Sequence, residues 1–154
     1  MTKGNERGKG GIVTNRKASE RKLNYVCVCF VVDDVVKSAE YYRDVLGFSF
    51  KRYWGEPPCF VMLERDGVQF FLSGDGTRGH VRPNRMAHPD FTWDAYVNCR
   101  DGDSLYREFK AKGAEITREP QVTFYEMKEF ELQDPNGYLI CFGQDTSLEA
   151  DEID

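Results

Sequence analysis

The chain has 154 residues, of which 40% are hydrophobic, so it is long enough for one domain with a sizeable core. Its formal net charge of −5 argues against nucleic acid as the main partner, because phosphate binding requires a basic footprint. No apolar run is long enough to span a membrane, and the N-terminus lacks the apolar core of a signal peptide. We therefore expect a cytoplasmic protein with no membrane partner.

The two ends of the chain carry opposite charge. Residues 1–22 hold seven basic and two acidic side chains and few apolar ones, which predicts a disordered basic arm. A tether to an anionic surface is the functional alternative for this arm. Residues 144–154 hold five acids and no base, which predicts a solvated acidic tail. The folded domain is therefore expected at residues 23–143.

The first half of this domain has the element order βαβββ. Residues 25–32 are a continuous β-type run and predict a central strand. Asp33 or Asp34 is expected to cap the next helix, because a carboxylate accepts hydrogen bonds from free amides of the first turn. Gly47 is a suitable residue to end that helix. The remaining strands are predicted at 48–54, 59–64 and 68–73, the last one after the Asp66-Gly67 turn.

The second half repeats the pattern after a long polar loop, residues 74–92. The repeat consists of a strand at 93–99, a helix capped by Asp101 or Asp103, and strands at 115–121, 124–133 and 138–142, the last one after the Asp134 to Gly137 turn. The loop contains His80 and His88, for which we expect solvated imidazoles, with a ligand or acid–base role as the alternative. The two modules span about 23–73 and 93–143.

Spacing identifies equivalent positions in the two halves. The residue seven positions before the helix-capping aspartate is Cys27 in the first half and Asp94 in the second. The residue four positions after the glycine of the last turn is Phe71 in the first half and Cys141 in the second. These four residues therefore occupy equivalent positions in the repeat. Two such symmetric units can pair their sheets into one cupped surface, with the helices outside.

Side chains alternate along a strand, so each strand has one row toward the helices and one toward the cup. The apolar rows are expected to face the helices: Val26, Val28, Phe30, Val32, Phe70, Leu72, Trp93, Ala95, Val97, Ile140 and Phe142. The opposite rows are mixed and polar and are expected to face the cup: Cys27, Cys29, Val31, Gln69, Phe71, Ser73, Asp94, Tyr96, Asn98, Leu139 and Cys141. This mixture is typical of a cavity floor. Alternatively, the polar groups satisfy one another or a dimer partner.

The five cysteines are an odd number, and none forms a Cys-x-x-Cys motif. Four of them lie in apolar, strand-like runs, so buried and reduced thiols are the expectation. A zinc site or a catalytic thiol is the alternative.

Residues 32–48, 112–115, 125–130 and 134–143 together resemble the vicinal oxygen chelate superfamily. This superfamily includes glyoxalase I, the extradiol dioxygenases and the bleomycin resistance proteins. The resemblance implies an α+β fold in which two paired βαβββ modules form a cupped, incompletely closed mixed sheet with the helices outside. It also implies a homodimer.

The enzymes of this superfamily hold a divalent metal with His, Gln or Glu at four cup positions, which here are Cys27, Phe71, Asp94 and Cys141. Phe71 has no donor atom, and two thiols with one carboxylate make an irregular site for a hard cation. The resemblance is therefore closest to the metal-free, bleomycin-resistance-like branch. It implies a protein that sequesters a small molecule, contributes to antibiotic resistance, and has no catalytic residue, metal or cofactor.

Three other functions remain open at this point. One is a metal-dependent lyase, isomerase or dioxygenase with altered metal ligands. The second is a redox or transfer enzyme that uses Cys27, Cys29 or Cys141, and the third is a purely structural dimer.

In the metal-free branch the crevices lie at the dimer interface and are lined by aromatic residues. The formal net charge of −5 favours a cationic ligand, and the aromatic lining favours an aromatic one. Glu129 and Glu131 are expected to share the inward face of their strand, where they can meet such a charge; a solvated edge is the alternative. The predicted ligand-binding residues are Cys27, Cys29, Trp54, Phe60, Gln69, Phe71, Asp94, Tyr96, Asn98, Tyr125, Glu129 and Cys141.

Overall fold

The computed structural model describes residue 17, residues 22–90 and residues 92–147. Most of the basic arm and residues 148–154 of the acidic tail lie outside these ranges. Among the described residues, no helix combines the length and apolar character needed to cross a bilayer. The elements are β1 (Val28–Val31), α1 (Val35–Asp44), β2 (Tyr53–Trp54), β3 (Phe60–Arg65), β4 (Val68–Ser73), β5 (Ala95–Asn98), α2 (Gly102–Ala111), β6 (Glu115–Val122), β7 (Met127–Gln133) and β8 (Leu139–Asp145).

The strands form two four-stranded sheets with the same internal order. The first sheet has the order β1-β4-β3-β2 and the second has the order β5-β8-β7-β6. In each sheet the first strand of the module runs parallel to the last, and the other pairs are antiparallel. This arrangement confirms the α+β fold and the paired βαβββ modules. The loop between the modules contains two short 3-10 turns, Arg78–His80 and Asn84–Met86.

Both helices begin at an aspartate. The Asp34 carboxylate accepts a hydrogen bond from the Lys37 amide at 2.9 Å, and the Asp101 carboxylate accepts one from the Ser104 amide at 3.0 Å. Of the predicted alternatives, Asp34 and Asp101 are therefore the capping residues. Gly113, which follows α2, has a φ of 88°, a conformation that favours glycine.

A single apolar core covers the helix-facing sides of both sheets. The predicted helix-facing residues Phe30, Val32, Phe70, Leu72, Ile140 and Phe142 are all buried in it. The core crosses the module boundary, because the Phe30 ring stacks on Tyr138 of the second module with centroids 4.1 Å apart. We call the opposite side of each sheet the cup face, and it is the side for which the site residues were predicted.

Four boundaries differ from the sequence-based expectation. Val26 is 91% exposed rather than on the helix side, because parallel pairing with β4 begins at Val28. β2 contains two residues, while Ser49 makes an isolated bridge to Glu64. β7 begins at Met127, after a turn in which Glu126 has a φ of 61°. β8 continues through Asp145, so Gln144 and Asp145 are strand residues rather than tail.

Candidate functional site

A buried carboxylate lies at the centre of the second cup face. The Glu129 side chain on β7 is fully buried. It accepts hydrogen bonds from the hydroxyls of Tyr96 at 2.8 Å and Tyr125 at 3.0 Å, and from Arg118 Nη2 at 3.1 Å. A buried carboxylate requires such partners, because its desolvation is otherwise costly. Three of the predicted site residues are thus brought together in one network.

A second carboxylate extends this network along β7. Glu131 accepts hydrogen bonds from Trp93 Nε1 and Thr117 Oγ1, both at 2.8 Å. Arg118 Nη2 lies 3.9 Å from Glu131 Oε2, and it donates to Cys141 Sγ at 3.6 Å. The Arg118 guanidinium carbon also lies 6.0 Å from the centroid of the Trp93 ring. We call these residues the Glu129 cluster: Trp93, Tyr96, Arg118, Tyr125, Glu129, Glu131 and Cys141.

Side-chain alternation along β6 does not predict that Arg118 belongs to the Glu129 cluster. Ile116 pairs with Leu132 and packs against the core, whereas Arg118 pairs with Glu131. A register shift separates these two pairs, and a second one follows Arg118. Because a β-bulge changes the face on which the next side chains lie, Arg118 faces the cup although Ile116 faces the core. The combination of Pro120 with charged neighbours was the available sign that β6 is irregular.

Trp93 was assigned to the helix side, and this assignment is wrong. β5 begins only at Ala95, and Thr92 has a φ of 130°, so the chain before the strand is not extended. Strict alternation therefore does not apply at Trp93. Its ring packs against Tyr96 with centroids 5.0 Å apart, on the cup face.

A glycine makes room for Tyr96. A Cβ atom on Gly143 of β8 would lie 1.8 Å from the Tyr96 hydroxyl oxygen, so a side chain at this position would displace it. Burial, and then the hydrogen bond to Glu129, raises the pKa of Tyr96. The hydroxyl therefore keeps its proton at neutral pH and donates a hydrogen bond to the Glu129 carboxylate.

The Cys141 thiol is buried in the cluster, whereas two other cysteines are exposed. Burial, and then the nearby Glu129 carboxylate, raises the pKa of the Cys141 thiol to about 12. All five cysteines are free thiols, but Cys29 and Cys59 are exposed, so the expectation of buried thiols is wrong for these two. Cys29 lies in β1, an edge strand of its sheet, and Cys59 directly precedes β3.

We expect these thiols to differ in reactivity, because the thiolate is the nucleophile. At pH 8, Cys29 and Cys59 should react with a thiol reagent in the folded protein, while Cys141 should react only after unfolding. Mass spectrometry of peptides after timed labelling measures this. Labelling of Cys141 in the folded protein as fast as Cys29 would contradict the buried cluster.

The first cup face is aromatic. The ring of Phe60 contacts Trp54 at a centroid distance of 5.7 Å and Phe71 at 5.5 Å. The Arg52 guanidinium lies 4.7 Å from the Trp54 ring centroid. Trp54, Phe60 and Phe71 are all half-buried, so the row combines packing with an accessible ring surface. Three further predicted site residues are thus in mutual contact.

The remaining predicted site residues lie apart from these two groups. Cys29 and Asp94 line a crevice of about 270 Å³ together with His80. Cys27 precedes β1 and is half-buried, and Gln69 on β4 is also half-buried. Asn98 is exposed and lines a separate cavity of about 520 Å³ beside α2.

The four equivalent positions Cys27, Phe71, Asp94 and Cys141, which we call the corner positions, do not fit a metal ion. Phe71 offers no donor atom, and burial raises the pKa of the Cys141 thiol to about 12, which disfavours the thiolate that a metal requires. Both oxygens of Asp94 are occupied, because they accept hydrogen bonds from the amides of Asn84 and Leu139, each at 2.7 Å. Among the residues for which the structure gives positions, no group of three or more His, Cys, Asp or Glu side chains could hold a metal.

Solved structures of similar fold come from several bacteria. TioX from Micromonospora sp. ML1 matches with a TM-score of 0.63 and 18% identity, over 79% of this chain and 98% of that one. A glyoxalase/bleomycin resistance protein/dioxygenase from Alicyclobacillus acidocaldarius matches with a TM-score of 0.63 and 20% identity, over 79% and 91%. A lactoylglutathione lyase from Agrobacterium tumefaciens matches with a TM-score of 0.60 and 14% identity, over 82% and 98%.

These identities are low, so the likeness to the three structures shows the fold alone. No match to a curated protein was found. A family model matches residues 22–142, which include the first module and the second module up to Phe142 in β8. The chain therefore belongs to the Glyoxalase/Bleomycin resistance protein/Dioxygenase superfamily.

Proposed function

We propose that this protein is a bleomycin-resistance-like binding protein that sequesters a small aromatic cation and needs no metal to do so. The observation that carries the proposal is the composition of the cup faces. One face presents aromatic rings, and the other presents a buried acidic cluster.

The aromatic row supplies the apolar part of such a site. Trp54, Phe60 and Phe71 are half-buried rings on neighbouring strands, and a flat ligand can stack against rings of this kind. Met62, which is 41% exposed and pairs with Phe71, extends this surface. The ligand that we propose for this surface therefore carries a flat ring system.

The Glu129 cluster supplies the charge. Glu129 and Glu131 face one guanidinium, that of Arg118, so the cluster has one more acidic than basic side chain. Trp93 and the two tyrosines add ring faces that attract cations. The formal net charge of −5 favours the approach of a cation over an anion.

The proposal includes a homodimer in the cytoplasm, with the crevices at the dimer interface. Val31 is 42% exposed on the cup-facing row of β1 and, like Met62, offers apolar surface to a second copy.

A thermal-shift screen tests the proposed function, because a ligand that binds only the folded state raises its melting temperature. The probes are metal-free bleomycin, 4-aminobenzamidine as a small aromatic cation, and benzoate as an anion of similar size. We expect stabilisation by the cations and not by benzoate. Trp54→Ala should weaken cation binding about tenfold, since a stacked ring contributes roughly 1–2 kcal/mol.

Met86→Ala is the matched control, because this side chain is 64% exposed on a 3-10 turn of the loop. It should leave binding unchanged. Equal stabilisation by benzoate and by the cations, or equal effects of the two substitutions, would contradict the proposal.

A further inference from the structure

The Glu129 cluster already holds a cation, and that cation belongs to the chain itself. The Arg118 guanidinium donates to Glu129 at 3.1 Å and lies 3.9 Å from Glu131. Its carbon lies 6.0 Å from the Trp93 ring centroid. Two carboxylates and an indole ring are the groups by which proteins recognise a planar cation.

Glu129 is held firmly in this arrangement. Tyr96 and Tyr125 both donate to it, and its strand is paired on both sides, with β6 and β8. Glu131 is held in the same way by Trp93 and Thr117. The acidic side of the contact is therefore preorganised.

Arg118 is held less firmly. Its Nε is buried and has no hydrogen-bond partner among the described residues. Its backbone lies between two register shifts on β6, the edge strand of its sheet. A buried donor without an acceptor is unfavourable, so this position of Arg118 is not an optimised ion pair.

Arg65 shows what an optimised pair looks like in the same protein. Its Nη2 donates to Glu108 at 2.8 Å, and its Nη1 donates both to the Leu46 carbonyl and to Glu108. The side chains of Arg65 and Arg118 have similar exposure, 24% and 29%. The looser contacts of Arg118 therefore do not follow from greater exposure.

We propose that Glu129, Glu131 and Trp93 form a binding site for the guanidinium, amidinium or ammonium group of a ligand, and that Arg118 occupies this site until the ligand displaces it. The inference names the cationic group that the proposed function requires, and it rests on that function for the existence of a ligand of the intact protein. The bulged segment of β6 is the part of the chain that moves when Arg118 leaves.

Chemical rescue tests the site itself. Arg118→Ala removes the internal cation and should lower the melting temperature. Ethylguanidinium should restore the melting temperature with a saturable concentration dependence, and it should again protect Cys141 from labelling. N-ethylurea, which has a similar shape and no charge, should do neither. The double variant Arg118→Ala/Glu129→Gln and the single variant Arg65→Ala are the controls, and neither should respond to ethylguanidinium in this way.

Displacement of Arg118 is tested by fluorescence titration with 4-aminobenzamidine. Removing a competing internal cation should tighten binding at least tenfold in Arg118→Ala relative to the wild type. Arg118→Met keeps the aliphatic stem and should show the same gain, so it replaces the alanine variant if that variant does not fold. Glu129→Gln in the wild-type background should weaken binding at least tenfold.

The outcomes separate this inference from the proposed function. Absence of saturable rescue, or equal rescue by N-ethylurea, would overturn the cation site even if the wild type binds aromatic cations elsewhere. Equal or weaker binding of 4-aminobenzamidine by both Arg118 variants would overturn the displacement of Arg118. Rescue and tighter binding in the variants, with no cation binding by the wild type, would support the site and contradict the proposed function.

Discussion

Arg118→Met is expected to destabilise the fold by about 3 kcal/mol, because it leaves a buried carboxylate without its cation. Glu129 is fully buried and keeps only the two tyrosine hydroxyls as partners in this variant. Methionine retains most of the apolar stem, so the loss reports on charge more than on packing. Urea unfolding, followed by fluorescence at neutral pH, measures the change in the free energy of unfolding.

Arg65→Met is the matched control for this prediction. It also removes a guanidinium from a carboxylate, but Glu108 is 30% exposed and keeps the Lys112 ammonium at 3.0 Å. The expected loss is about 1 kcal/mol, as for a partly solvated pair. Equal losses of stability in the two variants would contradict the expectation that removal of Arg118 leaves Glu129 as an uncompensated buried charge.

Asp134→Ala is expected to lower the free energy of unfolding by about 4 kcal/mol, because three hydrogen-bond donors lose one buried carboxylate as their acceptor. Asp134 is 1% exposed and accepts hydrogen bonds from the Tyr42 hydroxyl and from the amides of Asn136 and Tyr138, each at 2.9 Å. Tyr42 belongs to α1 and Asp134 to the turn before β8, so this contact joins the two modules. Buried donors that lose their acceptor carry the full cost of desolvation.

Tyr42→Phe separates the contributions to that loss. It removes one donor and leaves the two backbone amides bonded to Asp134, so we expect a loss of about 1–2 kcal/mol. Equilibrium unfolding in urea, monitored by circular dichroism, compares the two variants. A loss for Tyr42→Phe as large as that for Asp134→Ala would show that the turn amides contribute little.

The fold could be predicted from the sequence because its local signals are consistent with each other. β4 has its predicted bounds, and Asp34 and Asp101 begin the helices as their spacing indicates. The Asp134 to Gly137 turn directly precedes β8. Turn residues, caps and apolar rows are all short-range features, so they can be read without knowledge of tertiary contacts.

The site could be predicted only in part, because alternation along a strand requires an unbroken register. It holds for Tyr96, Glu129 and Cys141, which lie on regular strands and meet in the cluster. It fails for Arg118, which follows a bulge, and for Trp93, which precedes β5. Bulges depend on the pairing partner, and no periodicity of a single strand reveals them.

The equivalence of the four corner positions was predicted from spacing, but their partners were not. Asp94 was predicted as a ligand-binding residue of the cup, and its carboxylate accepts hydrogen bonds from two backbone amides. One of these amides belongs to Asn84 in the loop between the modules. A long-range contact of this kind leaves no pattern in the sequence around Asp94.

A crystal structure of the protein, grown with both 4-aminobenzamidine and a zinc salt present, is the most direct test of the metal-free cation site. We expect the amidinium beside Glu129 and Glu131, with Arg118 displaced and no metal among Cys27, Phe71, Asp94 and Cys141. A zinc ion coordinated at those four positions, with the amidine bound elsewhere, would contradict this expectation.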